Sequence, residues 1–129
     1  MTGDTSVCEI LLEFSGGLDT LTLKQTKQLQ LRVLTESITV RQLVAYVRKN
    51  AFGAKKDIFA HPPELDISDC REIEVQGDCP GILNMSERSH VKPGVLVLID
   101  DVDWELLGGG DCIVKGKQSI SFISSLHGG

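Results

Sequence analysis

The residues best suited to chemistry in this chain are its last two, Gly128 and Gly129, at the end of "ISSLHGG". Glycine has no Cβ, so a Gly-Gly end threads a narrow channel and takes up backbone angles closed to other residues. Its carbonyl is also unshielded and open to an incoming nucleophile. A chain end used as a reagent needs both properties, because its carboxylate is first activated on a nucleotide and its acyl group is then transferred. With glycine at ~7% of average usage, an arbitrary chain ends Gly-Gly only ~0.5% of the time. The bland reading is a floppy end with no role, and the choice depends on what the preceding residues build.

Other constellations are weaker. Asp100, Asp101, Asp103 and Glu105 invite a calcium reading. A calcium loop counted from Asp101 needs glycine at its sixth place and glutamate at its twelfth, where this chain has Leu106 and Cys112. An aspartate-rich turn is the simpler account. Gly108–Gly110 lacks the downstream Lys-Ser/Thr of a phosphate loop and reads as a turn. His61, His90 and His127 fall in loop or tail positions. Cys8, Cys70, Cys79 and Cys112 form no CxxC pair and read as free thiols in a reducing compartment. No spacing orders a nucleophile against a base, and no metal site is visible, so an internal active site is not expected.

The bulk properties agree with a carried reagent or a binding module. At 129 residues and 14.1 kDa, with 41% apolar and 24% charged residues, the chain reads as one globular domain, 1–129. Its longest apolar run, Val95 to Ile99, is far too short for a membrane span. No basic, then apolar, leader opens it, which implies a cytosolic or nuclear home. The net charge is -5 with pI near 5.1, and no Lys/Arg cluster is present. Direct nucleic-acid binding is therefore not expected, and a protein partner is.

Periodicity outlines the elements. Cys8, Ile10, Leu12 and Phe14 alternate with Glu9, Leu11 and Glu13, a half-buried strand ended by Gly16-Gly17. Leu29, Leu31 and Val33 against Gln30 and Arg32 form its hairpin partner. Thr39 caps a helix whose Val40, Leu43, Val44 and Val47 face the core, with Arg41, Gln42, Arg48 and Lys49 on the other face and Gly53 as its stop. About 54–90 the pattern dissolves into an expected irregular insertion, with at most a short edge strand in "CREIEVQGD". "GVLVLIDD" returns as a buried strand, and Ile120, Phe122 and Leu126 alternate with Ser121, Ile123 and Ser125 in the last one. A flexible tail is expected over about 124–129. One helix across one mixed sheet is α+β, specifically a β-grasp with first and last strands adjacent and parallel.

With those elements in place, three stretches resemble the ubiquitin-related modifier family of eukaryotic sulfur carriers. They are "LEFSGGLDTL", "VKPGVLVLIDDVDWELLGG" and "ISFISSLHGG", in family order and covering about half the chain. The Asp-Trp-Glu-Leu and Leu-His-Gly-Gly sequences favour this family over the molybdopterin-synthase small subunit and the thiamin sulfur carrier. The alternative from another class is a ubiquitin-like interaction module that never reacts at its end.

The resemblance implies that a ubiquitin-activating-type enzyme adenylates Gly129 with ATP and converts it to a thiocarboxylate. Leu126, His127 and Gly128 would thread into that enzyme. Sulfur would pass, through transfer-RNA thiolation enzymes, to the wobble uridine of certain transfer RNAs, and family members also become attached to lysines of target proteins. The chain would bind no cofactor of its own, since ATP is used by the enzyme. Two departures from the family stand out: the long 54–90 segment, and Lys115 and Lys117 in place of an acidic turn, close in sequence to the tail and able to tune docking. By alternation Leu11 and Ile123 both point away from the helix, and neighbouring first and last strands would join them into one apolar spot where the activating enzyme docks.

Overall fold

The alternation at the N-terminus becomes the centre of the sheet. In the computed structural model, which describes residues 6–124, β1 (Cys8–Ser15) buries Cys8, Ile10, Leu12 and Phe14 on one face. It runs antiparallel to β2 (Gln28–Val33), with Ile10 opposite Leu31 and Leu12 opposite Leu29. Between them Gly16 and Gly17 take positive φ, and a single helical turn, α1 (Leu18–Leu21), sinks Leu18 into the core. Thr39, the end of the short strand β3 (Ser37–Thr39), caps α2 (Val40–Ala51) with a reciprocal capping box. The Thr39 hydroxyl accepts from the Gln42 amide at 3.2 Å while Gln42 Oε1 accepts from the Thr39 amide at 2.8 Å.

The segment expected to be irregular is instead a second, ordered part of the domain. Its elements are α3 (Lys56–Phe59), β4 (Glu64–Leu65), β5 (Glu72–Gly77), β6 (Gly81–Asn84) and β7 (Glu87–Arg88). The edge strand read in "CREIEVQGD" is β5, which pairs with β2. "CPGILN", within the stretch expected to be irregular, supplies β6, which continues the same sheet beyond β5.

The remaining strands are β8 (Val95–Ile99), β9 (Val102–Asp103), β10 (Ile113–Lys115) and β11 (Lys117–Ser124). Among the described residues the main sheet has seven strands in the order β6-β5-β2-β1-β11-β8-β9, with β3/β10 and β4/β7 as two small separate pairs. β1 and β11 are parallel, Phe14 opposite Phe122, and the other pairs in the main sheet are antiparallel. This is the β-grasp, with α2 packed on one sheet face.

The ordered insertion explains why α2 is buried on nearly every side. Gln42 and Arg48, placed by periodicity on a solvent face, are only 5% and 7% exposed. Each keeps a partner in the covering segment, as burial of a polar group requires. Gln42 Nε2 donates to the Met85 carbonyl at 2.9 Å, and Arg48 donates to the Ala60 carbonyl at 3.0 Å and pairs with Asp57. Tyr46 donates its hydroxyl to the Cys79 carbonyl at 2.6 Å. Phe59 stacks on Phe52 with centroids 4.5 Å apart and meets Phe122 edge-on at 5.0 Å. Phe59→Ala is therefore expected to cost ~3–5 kcal/mol in urea unfolding. A loss under ~1 kcal/mol would mean that the segment is only laid over a finished core.

Candidate functional site

The candidate site is the end of the sheet where β11 stops. β11 lies between β1 and β8, and its last residue, Ser124, pairs with Val95. From there the chain continues to Leu126, His127, Gly128 and Gly129, which lie outside the described residues. Lys117 begins β11, ~23 Å from Ser124 at ~3.3 Å per residue, and Lys115 ends β10 just before it. The tail whose docking they are expected to tune lies outside the described residues.

Leu11 and Ile123 are both half-buried on the face away from α2, as alternation requires. The register keeps them apart. Leu11 lies opposite Ser119 and Ile123 opposite Ser15, an offset of ~13 Å along the strands. Glu13 sits between them, accepting from Gln28 Nε2 at 3.2 Å and from the Ser121 hydroxyl at 3.3 Å. The single apolar spot expected from adjacent strands does not form.

Ile123 instead faces Leu96 directly across β8, and Leu98 follows one position along this face, opposite Ser121. Leu96 is 51% exposed. The apolar spot at the root of the tail is thus Ile123, Leu96 and Leu98. Sequence reading missed the two leucines because "VLVLI" looks buried throughout. Beyond β8, β9 pairs only with Leu98 and Ile99, and Leu96 stays open to solvent.

Around the β8 edge the same leucine joins a groove containing Trp104, His61, His90 and Lys92. Trp104 begins a 3-10 turn through Leu107, which Asp103 caps by accepting from the Glu105 amide at 2.9 Å. Asp100 and Asp101 form the two-residue β8–β9 turn, both with positive φ, the geometry of a type I′ hairpin. Asp100 also ties that turn to β11, accepting from the Ser119 amide at 2.8 Å and Gln118 Nε2 at 3.2 Å. The aspartates are turn-formers, as their spacing suggested. Gly108–Gly110 is likewise a turn, closed by Arg41 beside Gly110 and its 3.4 Å ion pair with Asp111.

The thiols are not arranged as nucleophiles. Burial pushes Cys8, Cys79 and Cys112 up from the ordinary thiol value, which keeps them protonated at neutral pH. Cys8 donates to the Thr35 and Glu36 carbonyls at 3.3 Å. The His61 amide donates to the His90 carbonyl at 2.8 Å, and His90 Nε2 lies 3.7 Å from Glu64. Among the described residues no hydrogen bond joins a cysteine to a histidine. Nor is any described helix long and apolar enough to cross a membrane.

The described residues thus present a small apolar patch where β11 ends, on a fold shared with known proteins. The solved Rurm1-related protein of Plasmodium yoelii superposes with a TM-score of 0.77 at 27% identity, over 93% of this chain and 99% of that one. The small archaeal modifier protein 1 of Methanosarcina acetivorans shares the fold, with a TM-score of 0.57 at 17% identity. Ubiquitin-related modifier 1 of Mus musculus is 34% identical over 121 residues, 93% of this chain and 94% of its own length. The corresponding Eremothecium gossypii protein is 30% identical over 122 residues, 94% and 98% of the two chains. The family described as Urm1 (Ubiquitin related modifier) matches residues 9–129, from the first strand through the terminal Gly-Gly. On that match and this fold, the chain belongs to the ubiquitin-related modifier family.

Proposed function

We propose that Gly129 is the reagent of a sulfur carrier. Its carboxylate oxygen attacks the α-phosphorus of ATP on a ubiquitin-activating-type enzyme, forming an acyl-adenylate and releasing pyrophosphate. A persulfide of the same enzyme displaces AMP, and a second thiol cleaves the acyl disulfide to leave a thiocarboxylate. That sulfur passes, through separate thiolation enzymes, to wobble uridine of transfer RNA, and the same activated end also joins target-protein lysines. ATP is consumed on the enzyme, the chain carries no cofactor, and the work is done in the cytoplasm or nucleus.

The observation that carries this reading is the family match running through the terminal Gly-Gly of a β-grasp chain. The enzyme docks on Ile123, Leu96 and Leu98, an apolar spot at the root of the tail that is exposed at Leu96 and half-buried at the other two. Leu126, His127 and Gly128 then thread into its channel, where glycine at 128 admits a narrow passage. The chain's net charge of -5 fits a carrier whose RNA is held by other proteins.

Deleting the chain from its own cells is expected to remove 2-thiouridine from wobble-position transfer RNA, read by retardation on mercury-containing gels. Fully retained thiolation would exclude sulfur transfer as its output.

A further inference from the structure

The first Gly-Gly of the chain, Gly16-Gly17, touches the root of the last one. Gly16 has φ +70 and lies against the backbone of Ser124. A Cβ on Gly16 would run into the Ser124 carbonyl oxygen, and would stand 3.0 Å from its nitrogen and 3.1 Å from its carbonyl carbon. Real Cβ atoms do not approach backbone this closely, so one side would have to move.

The turn is the side that is held. Leu18 is fully buried behind it. The Thr20 amide and hydroxyl both donate to the Gly17 carbonyl, at 3.2 and 2.7 Å. Thr22 donates its hydroxyl to the Asp19 carbonyl at 3.0 Å, and the Leu23 amide reaches the Ala51 carbonyl at the end of α2 at 2.7 Å. Ser124 is the last residue of β11 and has β8 on its other side. A side chain at 16 would therefore push the end of β11 at Ser124.

We propose that Gly16 is a positioning residue for the reactive end: its bare backbone is the stop against which Ser124, the last described residue before that end, is set. The inference rests on the reading of Gly129 as the reagent. Misplacing a reacting atom by about 1 Å costs ~100-fold in rate. A displaced root should therefore slow the chemistry while the apolar spot still binds.

The matched control lies next door. Gly17 has φ +102, so an alanine there carries the same left-handed strain, yet its Cβ would meet nothing within 4 Å. The experiment is ATP–pyrophosphate exchange by the activating enzyme of the same cells, with the full chain as varied substrate. Gly16→Ala is expected to lower kcat at least tenfold with KM within twofold. Gly17→Ala should keep wild-type kcat while losing thermal stability through its backbone strain. Equal kcat values for the two variants would overturn the positioning role, as would a Gly16→Ala chain that fails to fold while Gly17→Ala folds. A wild-type chain that supports no exchange would instead sink the reading of Gly129 itself.

Discussion

A chain lacking Gly129 is expected to lose adenylation by more than a thousandfold while melting at the wild-type temperature. The deletion leaves a carboxylate, now on Gly128, but draws it back by one residue, up to ~3.6 Å. Effective catalysis needs the nucleophilic oxygen within ~3–3.5 Å of its target and aligned, and ~1 Å of error already costs ~100-fold. The described core that sets stability includes residues such as Ile10, Leu43 and Phe122, all within β1, α2 and β11. ATP–pyrophosphate exchange alongside a thermal melt reads both halves of the prediction. Exchange within tenfold of wild type would mean that the last residue is dispensable, as in a binding module.

Leu96→Asp combined with Ile123→Asp is expected to raise the KM of the chain for its activating enzyme about a hundredfold. Central apolar anchors of an interface commonly cost ~1–2 kcal/mol or more each when lost, and a buried unpaired carboxylate adds to that. Both side chains point out from the sheet, Leu96 half exposed, so the folded state should survive with a modest loss of stability. The discriminating control is Leu11→Asp. Leu11 is on the same face but ~13 Å along the strands, beyond the Glu13 hydrogen bonds, and KM should stay within twofold. If Leu11→Asp weakens binding as much as the double variant, the docking face spans the whole sheet and the tail-root patch is the wrong assignment.

The difference between Leu11 and Leu96 shows what the sequence made legible. Alternation determines which face of a strand a residue occupies, and it placed Leu11 and Ile123 correctly on the outer face. It carries no information about register between strands far apart in the chain, and register is what separates the two and brings Leu96 to Ile123. Helix α2, with its Thr39 cap, was legible because capping and a 3.6-residue period are local signals. Its second buried side was not, because Gln42 and Arg48 are polar and only tertiary partners such as the Met85 and Ala60 carbonyls make their burial tolerable. The insertion failed for a related reason. β6 is four residues long and begins at glycine after a proline, which reads as turn until β5 and β2 are there to extend.

The contact between Gly16 and Ser124 was equally invisible, since the two residues are far apart in sequence and glycine has no side chain whose pattern could announce it. The terminal Gly-Gly and the Asp-Trp-Glu-Leu stretch, by contrast, could be read directly as sequence.

The central claim, that Gly129 becomes a thiocarboxylate, is tested most directly by the mass of the C-terminal peptide released after Lys117 from protein freshly isolated from its own cells. On the intact chain, replacement of oxygen by sulfur nearly coincides in mass with oxidation of Met1 or Met85. The peptide "QSISFISSLHGG" contains neither methionine nor cysteine, so a shift confined to its last residue has one meaning. The expected result is that shift, on Gly129. A terminus found only as carboxylate, with no lysine conjugates ending at Gly129, would contradict the account and leave a module that binds without reacting.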